Sequence, residues 1–225
     1  MNSGKTMKGV FGKLPAHGDF ILRELPGVFS DTWDTWLQRS VHGSRELVGE
    51  AWLEHFLTSP IWRFALSPGV IDGRTWGGVL LPSVDSVGRY FPLTLCTAVE
   101  QSTSACDLIA RAETWYSALS ELGICALQEA LTVDQLMERF PDYAVDSSRR
   151  DHVTETCNGA ILSCGNTNLA QGFGCLLEQS LPDGNSHSVW WAPPTAERDS
   201  MMNLSYGLPE PELFAAMIGA PMTKW

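Results

Sequence analysis

The chain has 225 residues, with 15 Lys and Arg against 26 Asp and Glu, which gives a formal net charge of −11. This acidic balance, without any run of basic residues, argues against nucleic-acid binding and against attachment to anionic membranes. The hydrophobic fraction of 44% and the charged fraction of 18% are typical of a globular chain rather than a disordered one.

The sequence also indicates where the protein works. No apolar stretch approaches the roughly 18 residues that a membrane helix needs, and residues 1–13 lack the apolar segment of a secretory signal. We therefore expect a cytoplasmic protein with no membrane insertion. The six cysteines are spread through the chain without a C-x-x-C pair, so we expect reduced thiols that lie mostly in the core.

The first hundred residues predict two helices and several strands. Apolar residues at helical spacing indicate a helix with Ser30 as its N-cap and an interruption at Gly43, followed by a second helix from Ser44 that stops before Pro60. These two helices would form a hairpin with an aromatic seam. Short segments rich in aromatic and branched residues predict strands at 8–11, 62–66, 76–81 and 90–99.

The second half of the chain alternates in the same way. A helix is predicted over 105–122, with Gly123 as the glycine that ends it, and Thr132 and Gln135 have the capping-box spacing of a short helix that runs to Arg139. The polar segment 143–156 is predicted to be an exposed loop. Further strands are predicted at 159–163 and 188–192, and further helices at 168–180 and from 209 to 218.

Interleaved helices and strands with no long Pro, Ser or Gly linker predict an α/β fold. We expect a single domain over residues 1–225, with a mixed β-sheet packed against α-helices as a layered α/β sandwich. Residues 1–100 carry the distinctive motifs, and residues 101–225 carry fewer.

Few side chains have the spacing of a catalytic or metal site. The turn that contains Ser86 follows a predicted strand, as a nucleophile elbow does, but the leading glycine of that motif is replaced by Val84. His17 and Asp19 flank Gly18 and could form an acid–base pair or bind a metal, although such residues more often fix a loop by hydrogen bonds. No histidine pair has zinc-site spacing. We therefore predict neither a metal nor a cofactor, and no enzyme activity.

Three arginines lie beside aromatic or apolar residues: Arg23, Arg63 and Arg89. If their guanidinium groups converge, they could bind a phosphate or the carboxylates of a partner. The more common use in an acidic chain is internal pairing with aspartate. The candidates for such pairing are Asp19, Asp34 and Asp85.

The neighbouring residues Trp190 and Trp191 lie on a predicted strand. Adjacent side chains of a strand point to opposite faces, so both indoles can be buried only if the strand is covered on both sides. Otherwise one indole is available to a partner.

With these motifs the chain resembles the TagF family, accessory proteins of bacterial type VI secretion systems. The most specific segment is Pro-Ser-Val-Asp-Ser-Val-Gly-Arg-Tyr-Phe-Pro-Leu at 82–93. The other matching segments are 12–20, 29–37 and 59–64, and 188–191 is similar to the C-terminal strand of the family.

The resemblance implies a non-enzymatic cytoplasmic regulator that represses type VI secretion after translation. Family members are linked to the forkhead-associated scaffold, which they would sequester, and to a Ser/Thr kinase and a PP2C-type phosphatase. Some members are fused to that phosphatase, whereas this chain has the length of the TagF domain alone, so its phosphatase would be a separate protein. The candidates for partner recognition or internal pairing are Asp19, Arg23, Ser86, Arg89 and Trp190.

Two other functions stay open at this point. The chain could be a small-molecule or anion sensor, or an enzyme, with a pocket at the 12–20 and 83–92 loops. That hypothesis requires four side chains to converge on a concave site: His17, Asp19, Ser86 and Arg89. A structural component of the secretion apparatus is less favoured, because such parts assemble in rings or tubes and nothing in this sequence repeats.

Overall fold

The computed structural model describes residues 7–99, 103–143, 151–156, 159–164, 186–196 and 198–220, with the backbone alone for 151–156 and 159–164. Its centre is a seven-stranded sheet in the order β2-β1-β5-β4-β3-β8-β9. The strands of this sheet are β1 Lys8–Gly12, β2 Ile21–Arg23, β3 Trp62–Leu66, β4 Thr75–Leu81, β5 Leu93–Val99, β8 His187–Ala192 and β9 Met201–Tyr206. A separate hairpin consists of β6 Asp151–Thr156 and β7 Gly159–Cys164.

Helices cover both faces of the sheet. On one face lie α1 Gly27–Val48, α2 Trp52–Leu57 and α6 Pro211–Met217, with a 3₁₀ turn at Gly49–Ala51 between the first two. On the other face lie α3 Ala105–Arg111, α4 Glu113–Gln128 and α5 Val133–Glu138. The predicted layered α/β sandwich is therefore confirmed. Strands from residues 8–99 and from residues 187–206 share one sheet, so the two halves of the chain fold together.

The sheet differs from the predicted mixed sheet in that every described strand pair is antiparallel. The central strands β3, β4 and β5 follow one another as a meander, with connections at 67–74 and 82–92. Such short connections join antiparallel neighbours, whereas parallel neighbours need a long crossover.

The core beneath α1 is aromatic. Trp33 contacts the rings of Phe29, Trp36 and Phe64, and its indole N–H donates to the Thr94 hydroxyl at 2.9 Å. Each well-oriented aromatic pair adds about 0.5–1.5 kcal/mol beyond the burial of its area. The core beneath α4 is built mainly from leucine and valine. The two faces of the sheet are therefore packed by different chemistry.

Two glycines that were predicted to end helices lie inside them. Helix α1 continues through Gly43, and α4 continues through Gly123. A Cβ at Gly43 would lie 2.6 Å from Cβ of Pro211, and one at Gly123 would lie 3.0 Å from a methyl group of Leu81. Both glycines therefore permit close packing rather than a turn. The predicted hairpin at 43–44 is absent, and α1 ends instead at Gly49, its C-cap residue, which has a φ of +68°.

Other predicted boundaries also shift. Helix α1 begins after Pro26, and the Ser30 hydroxyl lies within its first turns, where it donates to the Gly27 carbonyl. The predicted helix over 105–122 is divided at Ala112 into α3 and α4. The segment 151–156, predicted to be a loop, is strand β6, and β2 and β9 were not predicted. The capping box of Thr132 and Gln135 is confirmed. The predicted helix 168–180 lies outside the described residues.

Candidate interaction site

Two loops that carry the family-like motifs meet at one end of the sheet. The loop of residues 12–20 follows β1, and the loop of residues 82–92 joins β4 to β5. Because β1 pairs with β5, with Gly12 opposite Leu93, the two loops lie side by side. Gly12 has a φ of +124°, and a Cβ there would lie 2.0 Å from the Pro92 carbonyl oxygen. Only glycine fits this contact, which fixes the spacing of the loops.

A buried ion pair joins the two loops. The Lys13 ammonium lies 2.7 Å from Oδ2 of Asp85, and both side chains are almost fully buried. The same Oδ2 accepts a hydrogen bond from Nε of Arg89 at 2.7 Å. Oδ1 of Asp85 accepts from the backbone N–H groups of Arg89 and Val87, at 2.8 and 3.1 Å. Asp85 therefore has both oxygens satisfied by its own loop and by the neighbouring one.

These contacts decide the charge of the Asp85 carboxyl. Burial by itself would raise the pKa of this group, because it disfavours the ionised form. The hydrogen bonds from Lys13, from the backbone and side chain of Arg89 and from the backbone of Val87 act in the opposite direction and prevail. The pKa of Asp85 therefore lies well below its usual range, and the carboxylate is ionised at neutral pH.

Further hydrogen bonds hold the loops together along their length. The Ser83 hydroxyl donates to the Lys13 carbonyl at 2.7 Å, and the Ser86 N–H donates to the His17 carbonyl at 2.9 Å. The Arg89 guanidinium donates to the Gly18 carbonyl. The pairing of Arg89 with aspartate that the sequence indicated is thus observed with Asp85, and the Asp19 carboxylate lies 3.8 Å from the same guanidinium group.

His17 connects this site to the helices of the α4 face. Its Nε2 accepts a hydrogen bond from the Val133 N–H, at the first residue of α5, at 3.0 Å. The lone pair that a general base would use is engaged there. His17 therefore fixes the position of α5 against the loop, which is the structural role that its glycine-rich surroundings indicated.

The outer surface of the two loops combines apolar and polar side chains. We call this the motif surface, and its members are Asp19, Phe20, Ser86, Val87 and Arg89, all of them exposed. Phe20 and Val87 are 51% and 67% exposed. Phe20 is held from below by an edge-to-face contact with Phe91, with ring centroids 4.8 Å apart. The motif surface is thus an exposed patch on a rigid base.

The other predicted site residues do not join the motif surface. Arg23 on β2 pairs with Asp134 of α5 at 2.9 Å. Arg63 on β3 is buried and binds both oxygens of Glu113 at 2.8 Å. The three arginines therefore have separate acidic partners, and Asp34 accepts from Gln38 instead of from an arginine.

Trp190 is fully buried on the α1 face, and its indole N–H donates to the Ser188 hydroxyl at 2.9 Å. Trp191 points to the opposite face and is 8% exposed. Both faces of β8 are covered, so neither indole is available to a partner in this fold.

The chemistry available at the loops is limited. The Ser86 hydroxyl has no hydrogen bond to a described side chain, and no group of three or more potential metal ligands occurs among the described residues. Of the surface cavities, one of about 560 Å³ lies between α1 and the segment before α6, away from both loops. His17, Asp19, Ser86 and Arg89 lie close together, but no cavity among those described is lined by them.

Sequence comparison agrees with the motifs at this site. A family model described as the TagF N-terminal domain, type VI secretion system-associated, matches residues 9–142. The chain belongs to the TagF family. The TagF match contains β1 from its second residue on, β2 to β5, α1 to α5 and both motif loops, and it makes this a type VI secretion-associated protein. No curated protein matches the chain.

A solved structure extends the similarity beyond the TagF domain match. The chain is similar to PA0076 from Pseudomonas aeruginosa PAO1, whose crystal structure at 2.05 Å resolution has 29% sequence identity and a TM-score of 0.75. The similarity covers 97% of this chain and 98% of that chain. Strands β8 and β9 and helix α6 therefore belong to a fold shared with PA0076. Within the described residues, no helix combines the length and apolar character that crossing a bilayer requires.

Proposed function

We propose that this TagF protein is a non-enzymatic cytoplasmic regulator that represses type VI secretion after translation. It acts by binding the forkhead-associated scaffold of the secretion system, or a related assembly component, through the motif surface. The observation that carries this proposal is the buried Lys13–Asp85 pair, which locks two loops into one rigid platform for an exposed patch. The family membership supplies the secretion system.

The composition of the motif surface supports protein binding. Most of the binding free energy at a protein interface comes from a few apolar and arginine side chains that are desolvated together. The motif surface offers Phe20, Val87 and Arg89 for this role. Because the loops are fixed by internal hydrogen bonds, little conformational entropy is lost on association. A rigid patch of this kind suits a regulator that occupies a partner and prevents its assembly.

The same contacts support a function without catalysis. The Asp85 carboxylate has four hydrogen-bond donors within its own two loops, and the His17 Nε2 accepts from Val133. Among the described residues, neither group forms a hydrogen bond with the Ser86 hydroxyl. The polar side chains of these loops thus hold the two loops together, and the chemistry of the pathway would belong to its Ser/Thr kinase and PP2C-type phosphatase.

The test is calorimetric titration of the folded protein with the forkhead-associated scaffold, with and without threonine phosphorylation of the scaffold. We expect saturable binding in at least one of these states. Val87→Lys should weaken it by about tenfold or more, because it places a charge at the centre of the contact. The matched control is Ile124→Lys on α4, whose side chain is 41% exposed and is not a member of the motif surface.

Two outcomes contradict the proposal. If neither scaffold state binds the folded protein, direct capture of the scaffold is wrong. If binding occurs and Val87→Lys and Ile124→Lys behave alike, the motif surface is not the contact. In cells, loss of the protein should raise secretion, and the Val87→Lys variant should behave like the loss.

The sensor or enzyme hypothesis has one observation in its favour, since the two loops do meet. It predicts that a small anion such as inorganic phosphate binds beside Arg89 and shifts the backbone amide resonances of Arg89 and Ser86 in an NMR titration. Phosphate binding that is abolished by Arg89→Gln, in a variant that still folds, would favour it over the proposed repressor.

A further inference from the structure

Strand β9 forms the edge of the sheet opposite to the motif surface. Its residues alternate between half-buried and exposed, and the exposed ones are large: Met202, Leu204 and Tyr206 at 64%, 44% and 65% exposure. Among the described residues, no strand pairs with the outer side of β9. The segment 201–206 contains no charged residue, no proline and no glycine. Charged side chains and proline are among the features with which proteins protect a sheet edge from pairing with another chain, and β9 has neither.

The opposite edge has such protection. Strand β2 is three residues long, and its Arg23 forms an ion pair with Asp134 of the adjacent helix α5. A short, charged edge with a helix beside it is a poor template for another strand. The difference between the two edges lies within one sheet of one chain, so it does not reflect the general composition of the protein.

We propose that β9 pairs with β9 of a second copy of this chain, antiparallel and about a two-fold axis perpendicular to the sheet, to form a continuous fourteen-stranded sheet. The proposal goes beyond the repressor function and does not depend on it.

The two-fold axis restricts the register of this pairing. Side chains opposite each other in antiparallel strands point to the same face, so each residue must face one of the same parity. The register that retains all three exposed apolar residues places Leu204 on the axis, opposite Leu204 of the other copy. Met202 then faces Tyr206, and Asn203 faces Ser205.

This register matches like with like on each face. On the face of Val189 and Trp191, it joins the three apolar side chains of one copy to those of the other. On the other face, it places Asn203 opposite Ser205, two half-buried residues whose side-chain polar atoms already lie inside the chain and have no hydrogen-bond partner among the described residues. No pair of like charges is formed in the strand, although each chain carries a net charge of −11.

The area of contact sets the strength of the association. Two six-residue strands with three large apolar side chains each would bury on the order of 800 Å² in total, below the roughly 1,200 Å² of stable interfaces. We therefore expect a weak dimer with a dissociation constant of about 100 µM. Added salt should strengthen it, because screening reduces the repulsion between two acidic chains.

Sedimentation equilibrium of the full chain tests this directly, from about 10 µM to about 1 mM protein. The wild type should follow a monomer–dimer equilibrium that salt shifts toward the dimer. Leu204→Glu and Leu204→Lys should each be monomeric, because each places like charges on the axis. An equimolar mixture of these two variants should again form dimers. The matched control is Leu22→Glu on β2, which should dimerise like the wild type.

Each alternative result overturns the proposal. A wild type that stays monomeric at 1 mM excludes it, and so does a dimer that Leu204→Glu leaves intact. If both single variants are monomeric but their mixture is too, the two-fold register is wrong. Hydrogen exchange on the wild type is independent of any variant: amides in 201–206 should become more protected as the protein concentration rises, and equal protection at all concentrations excludes pairing at β9.

Discussion

The β2 end of the sheet and the β9 end differ in how their surfaces are held. At the β2 end, the motif loops are joined by a buried Lys13–Asp85 pair and by a glycine that touches the opposing backbone at Gly12. At the β9 end, the exposed side chains rest on a single strand pair with β8. The motif surface is held in place by buried contacts between segments that are distant in the sequence. The surface of β9 is formed by the side chains of that strand alone. Substitutions in the buried contacts between the motif loops should therefore affect folding, and substitutions of the exposed residues of β9 should affect self-association.

The largest loss of stability is expected for Asp85→Ala. It removes the carboxylate and leaves the Lys13 ammonium buried without a partner, which costs far more than losing an exposed pair. The midpoint of urea unfolding should fall further than for any other substitution discussed. Asp31→Ala, which removes an exposed carboxylate on α1, should leave the midpoint nearly unchanged. Equal effects of the two substitutions would contradict the structural role of Asp85.

Gly12→Ala should have the next largest effect. The new Cβ would meet the Pro92 carbonyl oxygen at 2.0 Å, and the φ of +124° is unfavourable for alanine. We expect a loss of about 2–4 kcal/mol in the free energy of unfolding. Gly73→Ala is the matched control, because no atom lies within 4 Å of the Cβ that it adds. Thermal or urea unfolding of the two variants measures the difference in stability, and equal losses would contradict the close contact at Gly12.

Low pH should weaken the contacts that Asp85 makes between the two motif loops. The pKa of Asp85 is lowered in the folded protein, so its ionised form contributes stability that is complete above the unfolded value near pH 4. This contribution is lost as the pH falls below 4 toward the lower pKa of the folded state. The stability difference between the wild type and Asp85→Asn should therefore shrink below pH 4. A difference that stays constant from pH 7 to pH 3 would show that the carboxylate is not stabilised in this way.

The smallest change in stability is expected for Leu204→Glu on β9 and Leu22→Glu on β2. Both side chains are about half exposed, at 44% and 53%, so each substitution should alter the free energy of unfolding by about 0.5 kcal/mol or less. Chemical unfolding at low protein concentration measures this. The pair sharpens the comparison of the two edges, because only Leu204→Glu should change self-association. A large loss for Leu204→Glu at low concentration would mean that β9 is part of the folding core.

Much of the fold could be predicted from local pattern. The strand at 62–66 is present with the predicted bounds, because a short run of aromatic and branched residues between turn residues is typical of a β-strand. The capping box at Thr132 was also predicted, since two side chains three residues apart satisfy the free N–H groups of that helix start. The layered α/β class followed from the alternation of such elements.

The errors have a common cause. Gly43 and Gly123 were taken as helix ends because glycine is a poor helix former, but each is needed for a neighbour to approach. Strand β9 was not predicted, because its residues form a strand through pairing with β8 rather than through strong propensity of their own. In each of these cases the outcome depends on which other element packs or pairs with the segment, and that cannot be read from a single sequence.

The candidate site was predicted only in part. The motifs identified the two loops and the pairing of Arg89 with an aspartate, but Lys13, the buried partner of Asp85, was not among the candidates. The one available signal was a lysine between Gly12 and Leu14 in an otherwise apolar and glycine-rich segment. Conversely, Trp190 was a candidate because tryptophan is enriched at interfaces, and it is buried because α1 covers its face of β8.

The sequence by itself determined the family, the class of fold and the position of the motif loops, because these depend on residue order and local chemistry. Only the tertiary structure decided which polar residues form hydrogen bonds and ion pairs inside the molecule and which remain on its surface. Lys13 and Asp85 are 72 residues apart along the chain, and β1 and β5 bring them to 2.7 Å. Contacts of this kind depend on which strands pair, and strand order is a property of the whole chain.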